Sequence, residues 1–330
     1  MKKITSLILT LVMVLGLCLA VSSCESTDTT TVRVGYMAGP TGMGMAKLIH
    51  DSKEEGAQFV FNKYADTTSA NTDLMTGVID IACLPTNEAA KYYNSENADM
   101  QVLAINCLNS LCLLTNDAVQ ISSIQDLNGK TIYTCKNGTP RIILQKLLEA
   151  YGISANISYV IGEGDTAITI NTPQDIPPVI VGNKADIVLA PEPIVSNALS
   201  KPVAKHKVTL DLGALWNEKF ESPIAMGCIV VSKNFAKEHP GAIKAFLEDY
   251  KASIEFIANE SNLDLSATYV VDAGIMAEAK VAKSAIKNLG TAISYIDGGE
   301  MKTILTDVYN IFGLPVIGGK LPDDSFYYEK

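Results

Sequence analysis

The chain has 330 residues, of which 48% are apolar, and a net charge of −10 from 36 acidic against 26 basic residues. That apolar share supports a packed core and excludes a disordered chain, and the acidic balance without a Lys/Arg run excludes the electrostatic footprint of a nucleic-acid binder. The basic residues are almost all lysine, with Arg33 and Arg141 the only arginines.

Met1-Lys2-Lys3 is a positive start, Ile4 to Ala20 an apolar run, and Val21-Ser22-Ser23-Cys24 a small-residue cleavage site ending in cysteine. This pattern resembles a bacterial lipobox. A transmembrane helix needs about 20 apolar residues and has no use for a terminal small-small-Cys, so residues 1–23 read as a signal peptide and Cys24 as the lipidated (palmitate-bearing) first residue of the mature chain. Residues 24–31 then form the lipid-anchored tether, with Glu25 to Thr31 polar, Ser/Thr-rich and expected to be flexible. No later run is both long and uncharged enough to span a bilayer. The body is expected to work outside the cytoplasm, lipid-anchored to the bacterial cell membrane.

Val32-Arg33-Val34-Gly35-Tyr36 is a β-branched strand, followed by the turn cluster Gly39-Pro40-Thr41-Gly42-Met43-Gly44 and a helix from Met45. Gln58 to Tyr64 predicts a second strand, Thr72 to Thr76 a helix, and Ile79 to Leu84 a third strand. This alternation argues for a parallel sheet flanked by helices. The pattern then restarts: Gly129 to Thr134 is a strand, Asn137-Gly138-Thr139-Pro140 a turn, and Arg141 to Leu148 has helical periodicity. Ala185-Asp186-Ile187-Val188-Leu189-Ala190-Pro191 echoes Ile79-Asp80-Ile81-Ala82-Cys83-Leu84-Pro85, each with a glycine just upstream and the same Asp-to-Pro spacing. Two similar α/β lobes follow from this repetition. Val102 to Leu114 and Ile224 to Val231 read as extended crossovers between them, and Pro240 to Asn259, Ala277 to Leu289 and Gly299 to Phe312 as helices. The division is 32–108 with 228–330 for lobe one and 109–227 for lobe two.

After loss of Cys18 and acylation of Cys24, Cys83, Cys107, Cys112, Cys135 and Cys228 remain, and five thiols cannot all pair within one chain. Each lies in an apolar, strand-like context without Cys-x-x-Cys or a neighbouring His. Buried structural thiols are the leading reading, ahead of a disulfide pair and of a metal or nucleophile site.

Gly39 to Gly44, the run Asp73 to Asn87 and Pro191-Glu192-Pro193, together with the lipobox, resemble the solute-binding lipoproteins of ABC importers. The group is the type II periplasmic binding proteins that serve sulfonates, nitrate and thiamine-precursor pyrimidines. The resemblance spans most of Val32 to Tyr328 and implies an α/β protein of two lobes joined by two crossing hinge strands, with ligand in the cleft between them. It departs from the family pattern at Ile168 to Pro178, where prolines shorten or delay the expected helix.

Ligands of open α/β sheets gather beyond the carboxyl ends of the strands, where loops enter helices. That rule selects Gly39, Pro40, Thr41, Gly42 and Met43, with Pro85, Thr86 and Asn87, from lobe one. From lobe two it selects Asn137, Gly138, Thr139 and Arg141, with Pro191, Glu192 and Pro193. Arg141 suits a bidentate grip on an anion, or is a solvated helix-start residue; Glu192 suits an amine, or faces solvent, or pairs with Arg141. Trp216 and Tyr36 stand between cleft wall and core, and Asn106 and Asn109 between ligand contact and hinge bonding.

His50, His206 and His239 are isolated, and no Gly-x-Ser-x-Gly elbow, Walker loop or metal-ligand spacing occurs, so neither an enzyme nor a metal or other cofactor is expected. The expected partners are a small polar, anionic organic solute and ABC permease subunits with their cytoplasmic ATPase, the chain itself being a monomer. A ligand-presenting sensor lipoprotein and a thiamine-precursor pyrimidine-binding protein are the alternatives.

Overall fold

The computed structural model describes residues 28–94, 99–136 and 138–329; residues 1–23, Cys24 and Asn137 lie outside them. The chain opens with β1 (Val32–Met37), α1 (Pro40–Met43), α2 (Ala46–Asp51), β2 (Phe59–Tyr64), α3 (Thr67–Met75), β3 (Ile81–Pro85), α4 (Thr86–Tyr93) and β4 (Met100–Leu108). Then come β5 (Leu111–Thr115), β6 (Thr131–Tyr133), α5 (Thr139–Tyr151), β7 (Asn156–Ser158), β8 (Val160–Ile161), β9 (Ile168–Thr169) and α6 (Pro177–Val181). The middle of the chain ends with β10 (Ile187–Pro191), α7 (Ile194–Leu199), β11 (Lys207–Asp211) and α8 (Leu212–Phe220). The last part holds β12 (Ala225–Ser232), α9 (Lys233–Glu238), α10 (Pro240–Ala258), α11 (Leu263–Asp272), α12 (Ala279–Leu289), β13 (Ile293–Ile296) and α13 (Gly298–Phe312).

The strands form two main sheets, ordered β13-β4-β12-β3-β1-β2 and β11-β5-β10-β6-β7, beside the short hairpin β8-β9. The echo between the two Ile/Asp/Pro segments marks the centre of each sheet. β3 lies between parallel β1 and antiparallel β12, and β10 between parallel β6 and antiparallel β5. The repeated aspartate clamps a neighbouring segment in both. Asp80 is buried and accepts from the Arg33 backbone N–H at 2.8 Å, from Nε at 2.9 Å and from Nη2 at 2.5 Å. Asp186 accepts from Asn116 Nδ2 at 2.9 Å. A buried carboxylate is tolerated only when paired and hydrogen-bonded, so Arg33 serves the fold.

Several boundaries shift for local reasons. α3 starts at Thr67 because Asp66 caps it, accepting from Ser69 N at 2.8 Å. The stretch Val102 to Leu114 breaks between Leu108 and Leu111, where the chain changes sheet, and the first sheet resumes with β12 at Ala225. The proline-rich segment yields only the five-residue α6. α10 buries Ala242, Ile243, Phe246, Leu247, Tyr250, Ile254 and Ile257 at helical spacing against the first sheet, with Pro240 at its start. From this helix Ser253 donates to Gly44 O at 2.7 Å and accepts from Leu48 N at 3.1 Å, fixing the loop after β1.

The tether expectation is corrected for its second half. Asp28 and Thr30 are held on lobe one by Gln58 Nε2, which donates to their carbonyls at 2.8 and 3.1 Å, so Asp28 to Thr31 is docked chain. Glu25 to Thr27 lie outside the described residues.

Cys83, Cys107, Cys112, Cys135 and Cys228 are all free, four buried and Cys112 half-buried. Burial pushes the thiols of Cys83, Cys107 and Cys112 up to about 12 and that of Cys135 to about 11, and raises Cys228 as well. Only the thiolate attacks a disulfide reagent. The five thiols are therefore expected to react slowly with a chromogenic disulfide at pH 8 in the native protein and all at once in denaturant; a fast native phase would contradict this burial.

Candidate functional site

β3 is parallel to β1, and β12 is antiparallel to both β3 and β4, so the carboxyl ends of β1, β3 and β4 share one edge of lobe one. In lobe two the carboxyl ends of β6 and β10 share an edge with the start of β5. These edges face each other, because both passages between the lobes run there. At the first passage Asn109 adopts φ 38°, a left-handed conformation that asparagine tolerates better than most residues. Its N–H donates to Ile224 O at 3.1 Å and its Oδ1 accepts from Ile224 N at 2.8 Å, tying the two passages together. Asn109 is thus a hinge residue.

The four predicted loops lie on these edges. In lobe one Gly39 is the N-cap of α1 and Pro40 occupies its first turn, neither position having a side-chain cap. The Thr41 carbonyl accepts from Asn106 Nδ2 at 3.3 Å, and Gly42 packs on the Met37 carbonyl. Met43 turns into the core of lobe one. Pro85 precedes α4, also without a side-chain cap. Thr86 is buried and committed: its hydroxyl donates to Ala225 O at 2.6 Å, and its carbonyl accepts from Tyr309 OH at 2.9 Å.

Asn87 reaches across the cleft. Its Oδ1 accepts from the hydroxyl of Thr139 at 2.9 Å, so the first turns of α4 and α5 meet head to head. Gly138 precedes Thr139 at φ 100°, a conformation that requires glycine here, and it leaves the start of α5 without a side-chain cap. The positive ends of two helix dipoles, neither capped by a side chain, therefore converge between the lobes, with Glu88 in the first turn of α4.

Arg141 is half-buried with its guanidinium carbon 5.6 Å from the centre of the Tyr159 ring. It has no carboxylate partner among the described residues, and of the alternatives open to Glu192 the pairing with Arg141 is not formed. Pro191 is buried at the end of β10, opposite Leu111. Glu192 is only 3% exposed. It accepts from Ser196 N at 3.0 Å and Ser196 Oγ at 3.0 Å, covering the start of α7, and from Asn288 Nδ2 at 2.9 Å. Asn288 belongs to α12, so this bond also spans the lobes. It is joined there by an exposed ion pair between Lys201 and Glu278 at 3.1 Å.

Trp216 is fully buried on the lobe-two side of the interface, 4.4 Å from the Phe220 ring and 6.1 Å from that of Phe312 on α13 of lobe one. Tyr36 belongs to the core, its hydroxyl donating to Ala273 O at 2.8 Å. Asn106 is buried beneath the α1 loop. The histidines are occupied singly: His50 stacks on Tyr269 at 4.0 Å, His206 meets Ala185 O at 2.7 Å, and His239 meets Thr30 Oγ1 at 3.2 Å. Among the described residues no group of three His, Cys, Asp or Glu side chains is placed to hold a metal ion. Two surface hollows, of about 400 and 350 Å³, lie at the opposite end of lobe one; the second is floored by the Arg33–Asp80 pair, whose charges already satisfy each other.

A sequence profile described as NMT1/THI5 like matches residues 53–262. The chain belongs to this family. No curated protein matches it by sequence. Among solved structures it is similar to a protein described as an ABC transporter from Parabacteroides distasonis, at TM-score 0.74 and 21% identity over 91% of this chain and 99% of the other. It is similar also to the periplasmic aliphatic sulphonate binding protein SsuA of Escherichia coli, at TM-score 0.71 and 16% identity over 91% and 92%. The periplasmic nitrate-binding protein NrtA of Synechocystis PCC 6803 aligns at TM-score 0.59 and 15% identity over 82% and 74%. At such identities the likeness establishes the fold, the two-lobed architecture of type II periplasmic binding proteins.

Asn288 and Ser196 escaped the sequence reading, and nothing in their local pattern marks them. Their role follows from Glu192, whose carboxyl is raised above its ordinary 4.5 by burial, against the opposing pull of Asn288 and Ser196. A raised carboxyl pKa means that the folded state holds the proton more tightly than the unfolded chain. Its contribution is thus full below pH 4.5 and is lost as pH rises through the folded value. Glu192→Gln is expected to flatten that part of the stability profile above pH 4.5 in urea titrations, an unchanged slope arguing against it.

Proposed function

We propose that the chain is an extracytoplasmic, lipid-anchored receptor that closes its two lobes over a small polar, anionic organic solute and hands it to an ABC permease. The observation that carries this reading is the head-to-head meeting of α4 and α5 across the cleft, bridged by Asn87 and Thr139. Two uncapped helix starts facing one space favour a ligand that brings acceptor oxygens and negative charge. Arg141, in the first turn of α5 and without a carboxylate partner among the described residues, adds a full positive charge nearby. The Glu192 carboxylate is already occupied by Ser196 and Asn288 and does not compete for that space. The family and the fold support the receptor role, the likeness to sulphonate- and nitrate-binding proteins supports sulfonate or nitrate chemistry, and the lipobox supports the anchor.

A thermal-shift screen of sulfonates, nitrate, pyrimidines and amino acids tests the reading, since a ligand of the native state must raise its stability. Trp216 gives a second readout. As the single tryptophan, packed across the interface against Phe312, it should change its emission when the cleft opens or closes, and Phe312→Ala should abolish the change while binding persists. The absence of both shift and emission change across the library would refute the receptor role.

Arg141→Ala is expected to weaken an anionic solute about tenfold, a loss of about 1.4 kcal/mol, and to spare a neutral analogue of the same shape. Equal loss for both, measured by titration calorimetry, would remove Arg141 from charge recognition.

A further inference from the structure

The leading segment is bound to lobe one at the end away from the cleft. Asp28 sits over the first turn of α10: its Cβ approaches Gly241 so closely that a Cβ added there would lie 2.8 Å from it. Its carboxylate accepts from Thr30 N at 3.1 Å and lies 3.4 Å from His239 Nδ1, and Thr30 Oγ1 meets the same ring nitrogen at 3.2 Å. Gln58 holds the two carbonyls from the other side, and Val32 N donates to Gln58 O at 2.9 Å where β1 begins. The Thr30 hydroxyl, the Thr30 N–H and the Ala242 N–H of α10 lower the Asp28 pKa, as expected for an acid at a helix start. A histidine, a glutamine and a glycine from two separate parts of the chain thus make a seat for Asp28.

Only Glu25, Ser26 and Thr27 separate that seat from Cys24. Four residue steps reach at most about 14 Å even when fully extended. We propose that Asp28 clips the chain to the base of lobe one, so that in the receptor away from its permease a lipid on Cys24 holds this base, and not lobe two, next to the bilayer. The partner surface is a lipid membrane, met by the edge where β1, β2 and α10 begin. This inference rests on the lipid anchor proposed above. Freed from its seat, the segment to Val32 would double the number of residues in the leash, from four to eight, and remove the preferred orientation.

The lipidated chain, reconstituted into phosphatidylcholine vesicles with acceptor-labelled headgroups, tests the clip by energy transfer. Donors are carried in turn by Glu55→Cys, exposed beside the start of β2, and by Lys130→Cys, exposed before β6 at the far end of lobe two. The native thiols are shielded, so labelling is selective. Severalfold higher transfer is expected from the Glu55→Cys position, falling toward the Lys130→Cys value when Asp28→Ala and Gln58→Ala are combined. Gly241→Ala is the second unclipping variant: it displaces Asp28 while improving the propensity of α10, so a loss of transfer from it is not a loss of folding. Equal transfer from the two positions, or transfer unchanged in both unclipped forms, would overturn the clip alone. Failure of the protein to float with the vesicles would overturn the anchor and the clip with it.

Discussion

The two hydrogen bonds between Asn109 and Ile224 are the constraint on which the rest of the molecule depends. They join the two passages between the sheets among the described residues at one point, so the lobes have a common pivot and not two independent linkers. Asn109 commits its side chain to the partner passage and its backbone to a left-handed turn, so its dihedral angles set how the two lobes sit. The adjoining β12 is fixed in turn by Thr86, whose hydroxyl holds Ala225 O from the start of α4. A loop residue of lobe one is thereby mechanically part of the pivot. This explains why Thr86, placed by position among the ligand-facing residues, has its polar groups already engaged.

Around that pivot the same sheet design occurs twice. A central strand with a parallel neighbour on one side and an antiparallel one on the other delivers helix starts to one edge, and two such edges opposed bring the starts of α4 and α5 together across a cleft. Little charged side-chain chemistry is then needed. Arg141 supplies one cation, and Glu192 is tucked under α7, where the helix start and Asn288 both stabilise it. A site made this way would bind by dipoles, which are fixed by the fold and would cost little reorganisation on closure.

Much of the architecture was legible in the sequence because it is local. The Ile/Asp/Pro echo gave both central strands, the glycine-rich turns gave the helix starts, and the spacing of Phe246, Tyr250, Ile254 and Ile257 gave α10 and its buried face. What was not legible depends on pairs far apart in the chain. Glu192 meets Asn288 96 residues on, and Asp28 meets His239 across most of the protein. A Ser/Thr-rich segment reads as a tether because each of its residues is a poor element former; that Gln58 and the start of α10 complement its carbonyls and its one carboxylate is a tertiary fact. Tyr36 was ambiguous for a related reason, since a strand-end tyrosine faces cleft or core according to a helix, α11, whose Ala273 carbonyl follows it in space and not in sequence.

The contacts that span the cleft also bear on how a receptor of this kind would report its cargo. Asn87 to Thr139 and Glu192 to Asn288 are hydrogen bonds, each contributing about 1 kcal/mol net, and the exposed Lys201–Glu278 pair contributes about 1 kcal/mol or less. Together they amount to a few kcal/mol, which hinge freedom and rehydration of an open cleft readily offset. A closure held much more strongly by the protein itself would present an empty receptor as if it were full. With polar contacts this weak beside the apolar contact of Trp216 with Phe312, a ligand touching the opposed starts of α4 and α5 would have the differential affinity that shifts the balance between open and closed.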